Sequence, residues 1–395
     1  MVDFVNRNPI ATRFVNESAI ASLFRRFALG TGGFDFSRNG DQFGIDSGGN
    51  LVRSTQDVSA HIFGVGILLE DVRSNLCLES EDQTDAAWVK TSTTTTGNTG
   101  TGADGATTAD RIEYVGSLGA PQARGNDQTV TIGGGTASKT FTVSMFARAK
   151  SGTSKIRLKN THGGVADNLS SDITLTTALT RHTFTVTNSA AAGSGAQIIG
   201  VKAATDDSAF DIEVWGFQLE EAAFASSYVP TLGATASRST TDMRRLWPFP
   251  ANGISEQIID RPQFDATDDK GSDLQIINLS DGTENNYLRA AFAQGDDRIH
   301  LKKRVSAGTE VVVSTPVSAL NYVKGDRLSI RFVADGNGLD MWVNALAKVS
   351  IATGDAPTDW TTKLTTIELP PSFHTVESSR LWNQANADVF MGNLT

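Results

Sequence analysis

The side chains best suited to meet a sugar are two tryptophans, Trp88 and Trp215, and a scattered polar set, Tyr114, His162 and Tyr228. The apolar strand neighbours of Trp88 and Trp215 place both tryptophans in a core. Tyr114, His162 and Tyr228 are expected to be partly exposed and are the candidate glycan-binding residues, although nothing in the sequence sets them on one face. Hydrolysis of a glycosidic bond needs two carboxylates across a cleft. Glu79, Glu81 and Asp82 are close in sequence, and Asp206, Asp207, Asp211 and Glu213 form a second acidic cluster that reads as a solvated turn, its spacing unlike an EF-hand loop. No Gly-x-Ser-x-Gly elbow, His-Glu-x-x-His helix or phosphate loop occurs. The five histidines, His61, His162, His182, His300 and His374, have no metal-ligand spacing. No catalytic residue, metal or cofactor is therefore assigned, and the chain is expected not to be an enzyme. The basic run His300–Ser306 (HLKKRVS) reads as the solvent face of a strand, since single-stranded nucleic acid would want aromatics interleaved with the charges.

Composition narrows the partners. The 395 residues, 39% hydrophobic and 20% charged, suffice for two or three domains with their own cores. A net charge of -10 without a dense Lys/Arg run argues against nucleic acid. Cys77 is the one cysteine, so no internal disulfide can form. The N-terminal residues lack the apolar core of a secretory signal, and no stretch approaches the roughly 20 apolar residues that span a bilayer. The expectation is a chain folded in a cytoplasm, without membrane insertion.

The elements that must position these residues are mostly strands. One amphipathic helix is predicted near the N-terminus, where Ile20, Leu23, Phe24 and Phe27 fall at i, i+3, i+4 and i+7, with Asn16 or Ser18 to cap it and Gly30 to end it. Residues 91–108, rich in Thr and Gly, read as a loop or polar edge strand. Period-two runs follow: TFTVSMFARAK, with Phe141, Val143, Met145 and Ala147 on one face, then KIRLKN, RHTFTVTN and FDIEVWGFQLEE. Gly/Ser/Asn/Asp clusters separate them, and no helix intervenes, which indicates an antiparallel sandwich. The pattern stops near Arg238–Asn252, around Trp247–Pro250, and restarts as two hairpins, turning at Gln294–Asp297 and at Asp335–Gly338. That is a second sandwich of about 140 residues, with ADVFMGNLT as its final strand.

Three segments carry a resemblance. Gly66–Lys90 (GILLEDVRSNLCLESEDQTDAAWVK) resembles the opening of a carbohydrate-binding-module-like jelly roll found in tailed-phage virion proteins. Trp215–Asp242 (WGFQLEEAAFASSYVPTLGATASRSTTD) resembles its closing strand and exit, and FDFSRNGDQFGIDSGGNLV its lead-in. In the closing strand Trp215, Phe217 and Leu219 alternate with Gly216, Gln218 and Glu220, which predicts one apolar face, and Pro230 is expected to end it. Arg327–Ile351 (RLSIRFVADGNGLDMWVNALAKVSI) is similar to part of a concanavalin/laminin-G-like sandwich. Domains of the first kind often carry a structural calcium, for which the Asp206–Glu213 cluster is the candidate; it is left unassigned. Glu79, Glu81 and Asp82 fall in the family's ordinary Ser-Glu-Asp turn.

The resemblance implies a mostly β fold of two antiparallel β-sandwich, jelly-roll-like domains preceded by an N-terminal arm and short helix. The expected divisions are 1–33, for virion attachment or oligomerisation, 34–242 for the jelly roll with its lead-in, and 243–395 for the second sandwich. It further implies a tail fibre, head fibre, spike or decoration subunit of a virion, assembled in the host cytoplasm as a homotrimer or other symmetric homo-oligomer. Its partners would be other virion proteins (capsid, portal or tail) and host-surface polysaccharide. A tailspike-type depolymerase and a purely architectural virion protein without ligand are the alternatives.

Overall fold

A computed structural model describes residues 10–13, 35–38, 42–46, 50–54, 61–62, 66–116, 123–163, 166–190, 195–246, 254–306, 308–334, 338–351, 364, 366–369 and 374–382. Among these the chain is mostly β, in antiparallel sheets, and no α-helix is present. The helix predicted around Ile20, Leu23, Phe24 and Phe27, the Trp247–Pro250 segment and ADVFMGNLT all lie outside the described residues. The chain divides into two compact units interleaved along the sequence. One comprises Gly40–Thr55 and Val72–Ser239, and the other Met1–Asn39, Gln56–Asp71 and Thr240–Thr395.

In the unit containing Val72–Ser239, two five-stranded sheets face one another across a core. One runs in the order Thr180–Thr187, Thr140–Ala149, Phe210–Glu220, Ala109–Tyr114, Thr94–Gly100; the other Ile173–Leu175, Ser154–His162, Ala196–Ala203, Gly125–Thr131, Trp88–Thr91. The Thr-rich stretch is thus an edge strand, where alternating exposed threonines need no second covering layer. Phe141, Val143, Met145 and Ala147 point inward together, as their alternation predicts, and meet Ile156, Leu158, Ile199 and Val201 from the opposite sheet.

The closing strand differs from its sequence reading in two ways. Opposite Ser144–Phe146 its pairing slips by one residue, with Gly216 at φ +64°. A side chain there would be strained, and the extra residue turns Trp215 to the outer face while Phe217 and Leu219 stay inward. Trp215 instead joins Phe43, Ala109 and Tyr228 in a smaller outer cluster. The strand also ends at Glu220, ahead of Pro230. Its own side chains stop it: Glu220 accepts from the Ser226 amide at 3.0 Å and Oγ at 2.5 Å, and Gln218 Oε1 from the Val229 amide at 2.8 Å. These bonds fold the exit back over the strand it leaves.

The other unit also holds two sheets. The first runs Val349–Ile351, Leu339–Val343, Leu328–Ala334, Ile254–Pro262, His374–Trp382, Gly66–Leu69, His61–Ile62. Ile10–Arg13, within the expected N-terminal arm, pairs with Ser378–Leu381. The second sheet is seven-stranded: Asp35–Ser37, Asp242–Leu246, Thr366–Glu368, Leu274–Ser280, Tyr287–Phe292, Ile299–Arg304, Val311–Ser314. Both predicted hairpins form, Tyr287–Phe292 with Ile299–Arg304 and Leu328–Ala334 with Leu339–Val343. Phe264, Phe292 and Tyr322 stack edge-on or tilted in its interior, with ring centres 5.1 to 6.2 Å apart.

Candidate functional site

The opening and closing motifs lock together. Asn75 lies between them with all four of its hydrogen-bonding positions used: Nδ2 donates to the carbonyls of Phe217 (3.1 Å) and Val229 (2.8 Å), and Oδ1 accepts from the amides of Cys77 and Leu219 (both 3.0 Å). Ser80 Oγ meets the Tyr228 hydroxyl at 2.6 Å and accepts from the Thr231 amide at 2.8 Å. Trp88 donates its indole N–H to the Glu79 carbonyl at 3.0 Å. Arg238 pairs with Arg73 in a short two-stranded ribbon and is buried, donating to Ser227. Both motifs are architectural: they staple the first strands to the last.

The expected exposure of the candidate glycan contacts is corrected. Tyr114 and Tyr228 are 1% exposed and His162 4%. Tyr114 and His162 hold inward-facing strand positions, Tyr114 against Phe210, while Tyr228 lies beyond the end of the closing strand and packs against Trp215 in the outer cluster; for both tyrosines aromatic burial outweighs the preference of one hydroxyl for water. The Tyr114 hydroxyl is satisfied by Asp207 at 2.6 Å. They share no accessible face. The Asp206–Glu213 cluster also disperses, being less a solvated turn than a set of ion pairs. Asp206 takes Lys155 (3.0 Å), Asp211 holds Arg111 by Nε and Nη2 (2.7 Å each), and Glu213 takes Arg148 (2.7 Å from Nε) and Lys150. Among the described residues no group of three or more His, Cys, Asp or Glu side chains could hold a metal ion.

Three other carboxyls of this unit are withdrawn from water. Burial, the leading cause, lifts Glu79, Glu81 and Asp110 above their ordinary range, and neighbouring acids (Asp85 and Asp82 for Glu79, Asp104 and Asp110 for Glu81, Asp82 for Asp110) push the same way. Glu81 Oε1 accepts from the Tyr228 hydroxyl at 2.8 Å, and Asp110 from the amides of Gln83 (2.6 Å) and Asn98 (2.7 Å). The sign follows: with its folded value raised, Glu81 favours the folded state below the unfolded value, and this contribution is lost as pH climbs through the folded value. Glu81→Gln, which keeps an acceptor for Tyr228 without the charge, should therefore raise the melting temperature at pH 7, and the gain should shrink toward about pH 4. A melting temperature lowered at every pH would show instead that the charge stabilises.

The residues that sequence reasoning missed lie on the outward face of the sheet containing Ser154–His162. Arg157 stands directly opposite Lys202, and Lys159 and Asp127 flank Gly200 from either side. Asp127 Oδ2 lies 2.5 Å from Lys202 Nζ and 3.6 Å from Lys159 Nζ; Lys159 also reaches Asp167 at 2.8 Å. Arg157 Nε donates to the Ala203 carbonyl at 2.9 Å, with Asp172 3.8 Å away. A Cβ at Gly200 would come within 2.1 Å of the Asn126 carbonyl oxygen and 2.5 Å of Asp127 Oδ1, so only glycine lets the carboxylate fold across the sheet. Arg157, Lys159 and Lys202 are 7%, 6% and 2% exposed, and burial draws the Lys202 ammonium below its ordinary value against the pull of Asp127. Asp127 Oδ1 and Arg157 Nη2 are buried without a hydrogen-bond partner among the described residues. A buried network left short of one donor and one acceptor is unusual in a purely structural ion cluster. The signal was present in KIRLKN, where Lys155, Arg157 and Lys159 recur at period two opposite an apolar set.

No protein-family model matches the chain, and no curated protein matches it. Among solved structures it is similar to the N-terminal CBM22-1–CBM22-2 tandem domain of Xyn10C from Paenibacillus barcinonensis, at 10% identity over 80% of this chain and 98% of that one, with a TM-score of 0.27. It is similar also to domains LG4-5 of the mouse laminin alpha1 chain, at 8% identity over 65% and 84%, TM-score 0.23. A third is the Aspergillus kawachii beta-fructofuranosidase complexed with glycerol, at 10% identity over 93% and 68%, TM-score 0.21. At these TM-scores none of the three carries an argument about this chain. The expectation that the chain is not an enzyme is withdrawn: an enzyme stands among the similar structures, and likenesses of this kind decide neither for catalysis nor against it. The ground of that expectation was the lack of linear motifs, and such motifs do not register carboxyls gathered by folding, as Glu81 and Asp110 are.

Proposed function

We propose that the protein is a structural component of a tailed-phage virion, a fibre, spike or decoration subunit, whose β units contact glycans of the host surface. The virion role is supported by the motif resemblance, whose opening and closing segments hydrogen-bond to one another through Asn75, Ser80 and Tyr228. Glycan contact is supported by the buried network of Asp127, Arg157, Lys159 and Lys202, and above all by Asp127 Oδ1 and Arg157 Nη2, which have no hydrogen-bond partner among the described residues. A sugar hydroxyl both donates and accepts, so a pair of hydroxyls would complete that network. Single contacts of this kind are weak; a symmetric particle gains through many copies. In this reading residues 1–33 serve attachment or oligomerisation, the partners are other virion proteins, and the site of action is the virion.

The test is binding to immobilised bacterial surface polysaccharides, with the protein displayed multivalently on beads. The reading expects retention on at least one polysaccharide, and about tenfold weaker retention for Arg157→Gln with unchanged circular dichroism. Absence of retention on every polysaccharide, or an indifferent Arg157→Gln, would sink it. Catalysis is a second reading, favoured by the raised carboxyls Glu81 and Asp110. Release of reducing ends from a retained polysaccharide, abolished in Glu81→Gln, would establish it.

A further inference from the structure

The seven-stranded sheet of the other unit carries a different polar face. Tyr287 and Arg289 project from it beside Asn278, which stands directly opposite Arg289, and beside Arg304, which stands opposite Tyr287. The Arg289 guanidinium lies 3.6 Å from the centre of the Tyr287 ring and that of Arg304 5.5 Å from it. The ring is a fixed platform, buried, its hydroxyl hydrogen-bonded to Glu310. Around it, Asn278 Nδ2 donates to Glu368 at 2.8 Å, and Lys302 pairs with Asp273 at 2.5 Å.

The carboxylate of Glu284 sits badly on Arg289. A carboxylate ordinarily grips a guanidinium by two parallel bonds from two nitrogens, as Asp211 grips Nε and Nη2 of Arg111 at 2.7 Å each. Glu284 puts both its oxygens on the single nitrogen Nη2, each at 3.0 Å. It is tethered in the turn just before the strand and spends its own backbone carbonyl on Arg304 Nη1 at 3.3 Å. Nε of Arg289, Nε of Arg304 and Oδ1 of Asn278 are all buried with no hydrogen-bond partner among the described residues. The Glu284 side chain is 71% exposed, against 11% for that of Arg289. An exposed acid thus occupies a buried base without satisfying it.

We propose that this face binds a hexuronate residue of an acidic polysaccharide, whose carboxylate displaces Glu284 and takes Arg289 side-on through Nε and Nη2 while a ring hydroxyl donates to Asn278 Oδ1. The open groups select the class: two guanidinium donors call for an anion, and the amide acceptor beside them calls for a hydroxyl within a few ångströms of it. A sugar acid carries both on one ring, whereas an Asp or Glu side chain presents only methylenes at that distance. Glu284 acts as an internal competitor. This site is separate from the face of Asp127 and Arg157, so either can fail without the other.

Titration calorimetry of the full chain with trigalacturonate, a glucuronate oligosaccharide and the methyl ester of each decides the matter. Binding of at least one acid is expected, with its ester about tenfold weaker or worse. Glu284→Ala should tighten that binding severalfold because the competitor is gone, and Arg289→Lys should weaken it about tenfold, since an ammonium cannot offer the two-nitrogen grip. Glu284 is an exposed turn residue, so its variant settles the question even if Arg289→Lys fails to fold. No binding of either acid, equal binding of acid and ester, or unchanged or weaker binding by Glu284→Ala would overturn the proposal.

Discussion

Asn75→Ala should unfold the unit built on Val72–Ser239, or leave it folded only well below the wild-type melting temperature. The substitution removes four hydrogen bonds at once and strands two buried carbonyls and two buried amides between the opening and closing strands. Each orphaned group costs about 1–3 kcal/mol. Four together amount to about 4 kcal/mol or more, much of the roughly 5–15 kcal/mol that stabilises an ordinary domain. Asn75→Asp keeps the acceptor but loses both donors and adds a buried charge, so it should be no better tolerated. Thermal unfolding followed by circular dichroism reads both variants. A melting temperature within a few degrees of wild type for Asn75→Ala would show that the two motifs are held by something else.

The two tryptophans should separate under a milder substitution. Each is 1% exposed, and emptying either site with alanine should cost about 3–5 kcal/mol. Phenylalanine draws the distinction. At Trp88 it forfeits the indole hydrogen bond to the Glu79 carbonyl and leaves that oxygen without this donor. At Trp215 the indole nitrogen is buried with no partner among the described residues, so phenylalanine removes an unsatisfied donor along with the lost volume. Trp88→Phe should therefore lower the melting temperature more than Trp215→Phe. The reverse order, or loss of polysaccharide retention in Trp215→Phe at unchanged stability, would make Trp215 a ligand platform rather than a packing residue.

Much of the fold is legible in the chain because strand periodicity is local. Phe141, Val143, Met145 and Ala147 announce a buried face by spacing alone, and the hairpin strands Tyr287–Phe292 and Ile299–Arg304 by two alternating runs around a Gly-containing turn. Asn75, Ser80, Trp88 and Tyr228 could be singled out as parts of motifs, although their mutual contacts could not. The closing strand shows the limit of alternation: one glycine at positive φ moves Trp215 to the opposite face, and the period-two reading, which assumes an unbroken strand, assigns it to the wrong side.

The sequence by itself determined the class of fold, the absence of an internal disulfide and the placing of both tryptophans in hydrophobic surroundings, because these depend on composition and on intervals of a few residues. Tertiary structure alone decided which polar groups meet. Lys202 finds Asp127 75 residues away, and Asn75 closes on Val229 154 residues away. Glu284 and Arg289 are neighbours in sequence, yet the defect in their pairing exists only once Tyr287 fixes the guanidinium and the turn fixes the acid. Registers between distant strands are set by the packing of whole sheets, and no local interval encodes them. Tyr114, His162 and Tyr228 were misjudged for the same reason: a polar aromatic is stable at a surface or in a core with a partner for its polar atom, and only the fold supplies that partner.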